Sequence, residues 1–234
     1  MGYGYGYGLD PTIILVLIGA LLSMVASGKV QSTFQKYAKV RSMSGMTGAE
    51  AAKKLLNSQG IFDVTVQKVS GQLTDHYDPR NKTLNLSESV YQATSVAAIG
   101  VAAHECGHAI QDHVGYIPLK LRSSFVPVAN LGSRLSWPLI LIGLLLSAGP
   151  FIEIGIWMFV LAVLFQLITL PVEFNASGRA VALLDQTGIL AGQEVDQTKK
   201  VLGAAALTYV AAAAGSILQL LRLVILFGGR RDRD

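Results

Sequence analysis

The 234-residue chain is 51% apolar and only 15% charged, carries a formal net charge of +4, and has a single cysteine, Cys106. The apolar balance excludes a disordered or highly charged solvated chain and leans toward lipid, while the length allows one compact domain plus a few membrane spans. The lone cysteine excludes an intrachain disulfide, and basic residues scattered without a Lys/Arg block or interleaved aromatics argue against a nucleic-acid partner.

Residues 1–10 form a Gly/Tyr-rich tail, expected to be disordered. Residues 11–27 are uncharged and just long enough to span a bilayer. No positive charge precedes them and no small-residue cleavage site follows, so an uncleaved anchor is expected rather than a secretory signal. Lys29, Lys36, Lys39 and Arg41 come next, and the positive-inside bias places the N-terminus outside and the following segment in the cytoplasm.

Thr47 and Glu50 have the spacing of a capping box, followed by Ala51, Ala52, Leu55 and Leu56 at helical spacing and Gly60 as a stop. Residues 62–69 alternate as a strand, and residues 72–77 and 82–86 flank the turn-like Asp78-Pro79-Arg80-Asn81, which predicts a hairpin in a small sheet. Ser87 is expected to cap one long helix running through residue 96 and beyond into the segment His104-Glu105-Cys106-Gly107-His108.

On a helix, residues four apart share a face, so His104 and His108 can present imidazole nitrogens to one zinc ion with Glu105 beside its open position. Zinc lowers the pKa of a bound water toward about 7, and Glu105 would take its proton, direct attack on a peptide carbonyl and return the proton to the leaving amine. With 4 His in the chain, random placement gives His-Glu-x-x-His in only about two chains per thousand, so chance is a poor explanation. Cys106 is expected to pack as a small side chain rather than ligate.

Residues 135–148 and 152–172 are apolar runs separated by Gly149-Pro150 and read as a transmembrane helical hairpin. Glu153 lies at its tip as an interfacial carboxylate, and no Lys or Arg falls between Arg134 and Arg179, so the tip points outward. The last apolar stretch, 201–227, contains Arg222 and is followed by Arg230, Arg231 and Arg233. Spanning would carry those charges outside, so the expectation is a helix packed in the soluble domain to about Ala214 and an amphipathic or membrane-surface segment after it.

A catalytic zinc site needs a third protein ligand. The long pattern with a glycine three and a histidine six positions beyond the second histidine is absent, because Gln111 and Val114 stand there and His113 is one place short. Glu173 is the favoured third ligand, since it directly follows the hairpin and Pro171 could start or kink a second site helix. Asp185 is the runner-up, with solvation at a helix end as its expected role.

Four segments carry a family resemblance: residues 73–79 (LTDHYDP), 102–111 (AAHECGHAIQ), 169–177 (TLPVEFNAS) and 204–211 (AAALTYVA). Together they resemble the YugP-like bacterial membrane zinc metallopeptidases, distant relatives of the HtpX and Ste24 membrane proteases. The resemblance implies a mainly α, gluzincin-type membrane protease with His104, His108 and Glu173 on one Zn2+ ion and Glu105 as general base. In the wider relatives an Asp follows the third-ligand Glu by four residues; Ser177 stands there, which puts the support of one histidine in question.

The expected organisation is a tail (1–10), a first transmembrane helix (11–27), the first part of a catalytic domain with a small β-sheet or hairpin (28–134), the transmembrane hairpin (135–172), and the rest of the domain with a C-terminal amphipathic or membrane-associated helix (173–234). Expected partners are a peptide or protein substrate, membrane proteins included, and membrane lipid. Arg179, Tyr209 and His76 are candidates to stabilise the oxyanion, and the edge strand of the 73–86 hairpin is a candidate to hold an extended peptide. The rival reading is a zinc-stabilised membrane adaptor or chaperone without proteolytic turnover.

Overall fold

Residues 10–228 are described by a computed structural model; most of the Gly/Tyr tail and Arg230, Arg231 and Arg233 lie outside the described residues. The chain is mainly helical, with α1 (Ile13–Tyr37), α2 (Gly48–Ser58), α3 (Glu88–Tyr91), α4 (Val96–His113), α5 (Ile117–Leu145), α6 (Gly149–Gln186) and α7 (Gln193–Phe227). Three short strands, β1 (Thr65–Val69), β2 (His76–Asp78) and β3 (Thr83–Ser87), complete it. The chain divides into two units, one of residues up to 25, 126–166 and from 211 on, the other of residues 26–125 and 167–210.

The first unit holds the parts of α1, α5, α6 and α7 whose apolar side chains point outward, among them Leu21, Met24, Leu145, Trp157 and Ile225, all more than half exposed. Such a surface is stable against lipid and a liability in water. All four helices are long and apolar enough to cross a membrane, and the protein is an integral membrane protein. Small residues let backbones approach: a Cβ on Gly19 would sit 3.1 Å from Gly215 Cα, and one on Gly132 only 2.5 Å from the Met158 carbonyl.

Two expectations change here. The expected runs 135–148 and 152–172 fall in α5 and α6, and α5 begins earlier, at Ile117, carrying Pro127 and Pro138 within it. The C-terminal stretch is one continuous helix to Phe227 and a fourth candidate span, where a break near Ala214 and a surface segment were expected. Arg222 is accommodated because its guanidinium reaches the Asp10 carboxylate at 3.4 Å, so the charge near the helix end is paired.

The second unit has a continuous apolar core of α2, α4, the sheet and parts of α6 and α7, with Leu55, Leu56, Leu84, Leu86, Ile99 and Leu184 among its sealed side chains. The expected capping box opens α2: Thr47 Oγ1 accepts from the Glu50 amide at 3.2 Å and Glu50 Oε2 accepts from the Thr47 amide at 2.8 Å. The strand order is β1-β3-β2, with β1 parallel and β2 antiparallel to β3, so β2 is an edge of the sheet and the 73–86 hairpin is present.

The long helix expected from Ser87 is interrupted. Ser87 begins only the single turn of α3, and Ser95 caps α4 by accepting from the Ala98 amide at 3.2 Å. The break exists because the backbone of 93–96 bonds elsewhere: the Ser42 amide donates to the Thr94 carbonyl, the Gly48 amide to Ala93, and the Val96 amide to Val40. Those partners are distant in sequence, so no local pattern announces them.

Candidate metal centre

Helix α4 delivers His104 and His108 one turn apart, and α6 delivers Glu173 across from them. The crossing is close because residue 107 is glycine: a Cβ there would lie 2.5 Å from the Ala176 carbonyl oxygen. Pro171 neither starts nor ends a helix; α6 runs through it from Gly149 to Gln186, so Glu173 stands on the continuation of the third candidate span.

Glu173 Oε2 lies 3.3 Å from His104 Nε2 and 3.6 Å from His108 Nε2. Glu173 is only 2% exposed, and its Oε2 has no hydrogen-bond partner. A sealed, unpartnered carboxylate oxygen facing two imidazole nitrogens is the donor set that a divalent cation satisfies. The separations also fit, since ligands about 2.0–2.1 Å from one zinc stand roughly 3.3 Å apart in a tetrahedron. Among the described residues these three form a group that could hold a metal ion, their ligand atoms within 4.8 Å of one another.

The nitrogens facing away from this point are also held. His108 Nδ1 is 3.0 Å from Gln111 Oε1, and Gln111 Nε2 donates to the Val172 carbonyl at 2.8 Å and to Asn175 Oδ1 at 3.0 Å. With the amide nitrogen so committed, Gln111 Oε1 must accept, which puts the proton on His108 Nδ1 and leaves the Nε2 lone pair for a metal. Arg179 Nε donates to the same Asn175 oxygen at 2.8 Å, with its guanidinium over the Tyr116 ring. His104 Nδ1 is 3.0 Å from Ser177 Oγ, so the residue one turn past Glu173 supports that ring.

Glu173 Oε1 accepts from Arg122 Nη1 of α5 at 3.1 Å, and Tyr209 of α7 also interacts with the carboxylate. Burial opposes a proton on His108, but Glu173 and Glu105 outweigh it and hold the imidazole pKa above its ordinary value. Gln111, Asn175 and Arg122 were not anticipated as site residues. Gln111 had one signal, its place three residues after His108 on the same helix face, whereas nothing local marks Arg122.

Beside His104 lies a cleft of about 250 Å3 whose polar lining residues are His104, Glu105, Asp75, Thr208 and Tyr209. Of the three oxyanion candidates only Tyr209 borders it. Arg179 is engaged behind His108, and His76 is exposed, bonded to the Thr74 carbonyl and to Asn85. Leu73 and Asp75, which lead into edge strand β2, also line the cleft. That hairpin is tied to α4 because Asp112 accepts from Tyr77 Oη at 2.9 Å and from Lys82 Nζ at 3.0 Å.

Three other sequence candidates fall outside the group. Asp185 and His113 are exposed at the far ends of their helices. Cys106 is fully buried with its thiol toward the Ala52 carbonyl of α2, and burial raises its pKa, so it packs rather than ligates.

Comparison with known proteins gives the family. The family described as "Putative neutral zinc metallopeptidase" matches residues 12–228. The "Putative membrane protease YugP" of Bacillus subtilis (strain 168) is 49% identical over 222 residues, covering 94% of this chain and 99% of that protein. No solved structure matches the chain significantly.

Proposed function

The chain belongs to this family of neutral zinc metallopeptidases, and from that premise we propose that it is a gluzincin-type membrane endopeptidase in which His104, His108 and Glu173 bind one Zn2+ ion and Glu105 is the general base. The observation that carries the reading is the buried, unpartnered Glu173 Oε2 facing two Nε2 atoms. Zinc, when bound, supplies the Lewis acidity that brings the pKa of a water toward about 7 and polarises a carbonyl.

The chain's own residues do the rest. Glu105 borders the cleft next to His104 and is 7% exposed, so its carboxylate is shielded from bulk water. It takes the proton of the attacking water as the carbon–oxygen bond forms, and passes that proton to the amine nitrogen as the peptide bond breaks. Tyr209, whose hydroxyl is engaged by Glu173, swings it to the carbonyl oxygen as negative charge develops there. The backbone leading into β2 offers an edge for an extended peptide, with Leu73 and Asp75 at the cleft.

Lys29, Lys36, Lys39 and Arg41, at the end of α1 and just after it, and the lack of Lys or Arg in residues 135–178 support a cytoplasm-facing site in the bacterial cytoplasmic membrane, while Arg222, Arg230, Arg231 and Arg233 at the far end of the chain weigh against it if α7 spans. The peptidase reading is tested by stripping metal from the purified protein and restoring it. Cleavage of an unfolded protein substrate is expected to vanish and return with zinc, whereas stoichiometric zinc without any cleavage would favour the adaptor reading.

A further inference from the structure

Besides the polar residues described above, the cleft beside His104 and Glu105 has an apolar lining that serves as a wall. That wall is built from Val30 and Phe34 of α1, Val101 of α4, and Val201, Leu202 and Ala205 of α7. Val30 and Phe34 are four residues apart, so one face of α1 looks into the cleft. This part of α1 lies beyond residue 25 and belongs to the same unit as the histidines. The first helix, which the sequence presents as an anchor, therefore also furnishes part of the site.

At about 250 Å3 the cleft is smaller than the roughly 300–1,000 Å3 of pockets that enclose drug-sized ligands, and suits one or two side chains of an extended peptide. A charged side chain lodged against this wall would lose its hydration, an acidic one with no cation in the lining to pair with and a basic one with only Glu105, which the reaction itself uses. The one acidic group bordering the cleft besides Glu105 is already engaged: Asp75 Oδ1 accepts from the Ser87 amide at 2.8 Å and its Oδ2 from Ser87 Oγ at 2.9 Å. An apolar side chain there replaces water against apolar surface, which favours binding.

We infer that the α1 face of Val30 and Phe34 selects peptides with a large apolar residue flanking the scissile bond. The inference rests on the peptidase reading of the metal group and names its substrate class. Val30 is the residue to test, because Phe34 also packs against the core and its loss would perturb folding.

The experiment measures binding to the full-length, zinc-loaded protein in detergent, using peptide hydroxamates with Leu, Phe, Asp or Lys beside the chelating group. The Leu and Phe compounds are expected to bind at least about tenfold more tightly than the Asp and Lys compounds. Val30→Asp should erase that difference while zinc content and helical content stay at wild-type levels. Equal affinities in the wild type, an unchanged preference in Val30→Asp, or no binding by the zinc-loaded protein would each overturn the inference. The readout needs no turnover, so failure to cleave peptides while the binding preference persists would count against the peptidase reading alone.

Discussion

Arg122 Nη1 holds Glu173 Oε1 at 3.1 Å, and this contact turns the other oxygen, Oε2, toward His104 and His108. A carboxylate gripped at one oxygen presents a single atom to a metal and leaves room for water in the fourth position. Arg122→Ala is therefore expected to weaken zinc affinity about 10–100-fold, the usual effect of losing an outer hydrogen bond to a ligand, with partial recovery in Arg122→Lys. Zinc dissociation constants of the three proteins check this; identical values would show that Glu173 holds its orientation unaided.

Gly107 sets the spacing between the two site helices. Gly107→Ala would place a methyl 2.5 Å from the Ala176 carbonyl oxygen, and the neighbouring Ala176 carbon atoms leave it no free direction. The expected cost is about 1–3 kcal/mol together with weakened zinc binding, because α4 and α6 must move apart. Gly178→Ala is the matched control on α6, since nothing lies within 4 Å of its Cβ position; there stability should hold or rise by roughly 0.5–1 kcal/mol. Thermal unfolding and zinc titration of both variants decide the point.

His108 ties the centre to pH. Burial works against its protonation, but Glu173 and Glu105 prevail and raise its pKa above the ordinary 6.5 in the metal-free protein. Zinc requires the neutral ring, so protons compete with the metal and zinc affinity should decline on acidification, beginning above pH 6.5. Without metal the slope reverses: the raised pKa stabilises the fold fully below the unfolded-state value, and that contribution is lost as pH rises through the folded-state value. Zinc affinity and metal-free unfolding measured from pH 5 to 9 should therefore run in opposite directions, and parallel trends would refute the assignment.

The proposed orientation is checked by labelling. Lys53 is exposed on α2, and the native Cys106 is sealed in the core. In Lys53→Cys, a membrane-impermeant maleimide is expected to react only after the cytoplasmic membrane is opened. Labelling on sealed cells would place the catalytic unit on the outside.

The histidine motif, the α2 capping box and the β2–β3 hairpin were legible in the sequence because each is a local pattern with its physical cause inside a few residues. What escaped depends on distant partners. The break before α4 comes from backbone bonds to residues 40–48, and the early start of α5 is hidden by Pro127 and by Lys120, Arg122 and Arg134, which interrupt the apolar run. The continuity of α6 through Pro171 defeats a local rule, since proline there removes only one helical hydrogen bond. Glu173 was found by asking for a third ligand after the hairpin. Arg122 and Asn175 were not, because their partners lie 51 residues away in Glu173 and 64 residues away in Gln111. Ser177, which raised doubt as a replacement for an acidic residue, supports His104 by a hydroxyl instead.

In the proposed mechanism a base at residue 105 works beside a metal held by His104, His108 and Glu173. Glu105→Gln preserves the size of the side chain and removes its basicity, so the most direct measurement compares peptide cleavage by the purified wild type and this variant with zinc content determined in both. Zinc should be retained while cleavage falls by about 10²–10⁴-fold; equal cleavage by the two proteins would show that Glu105 is not the base.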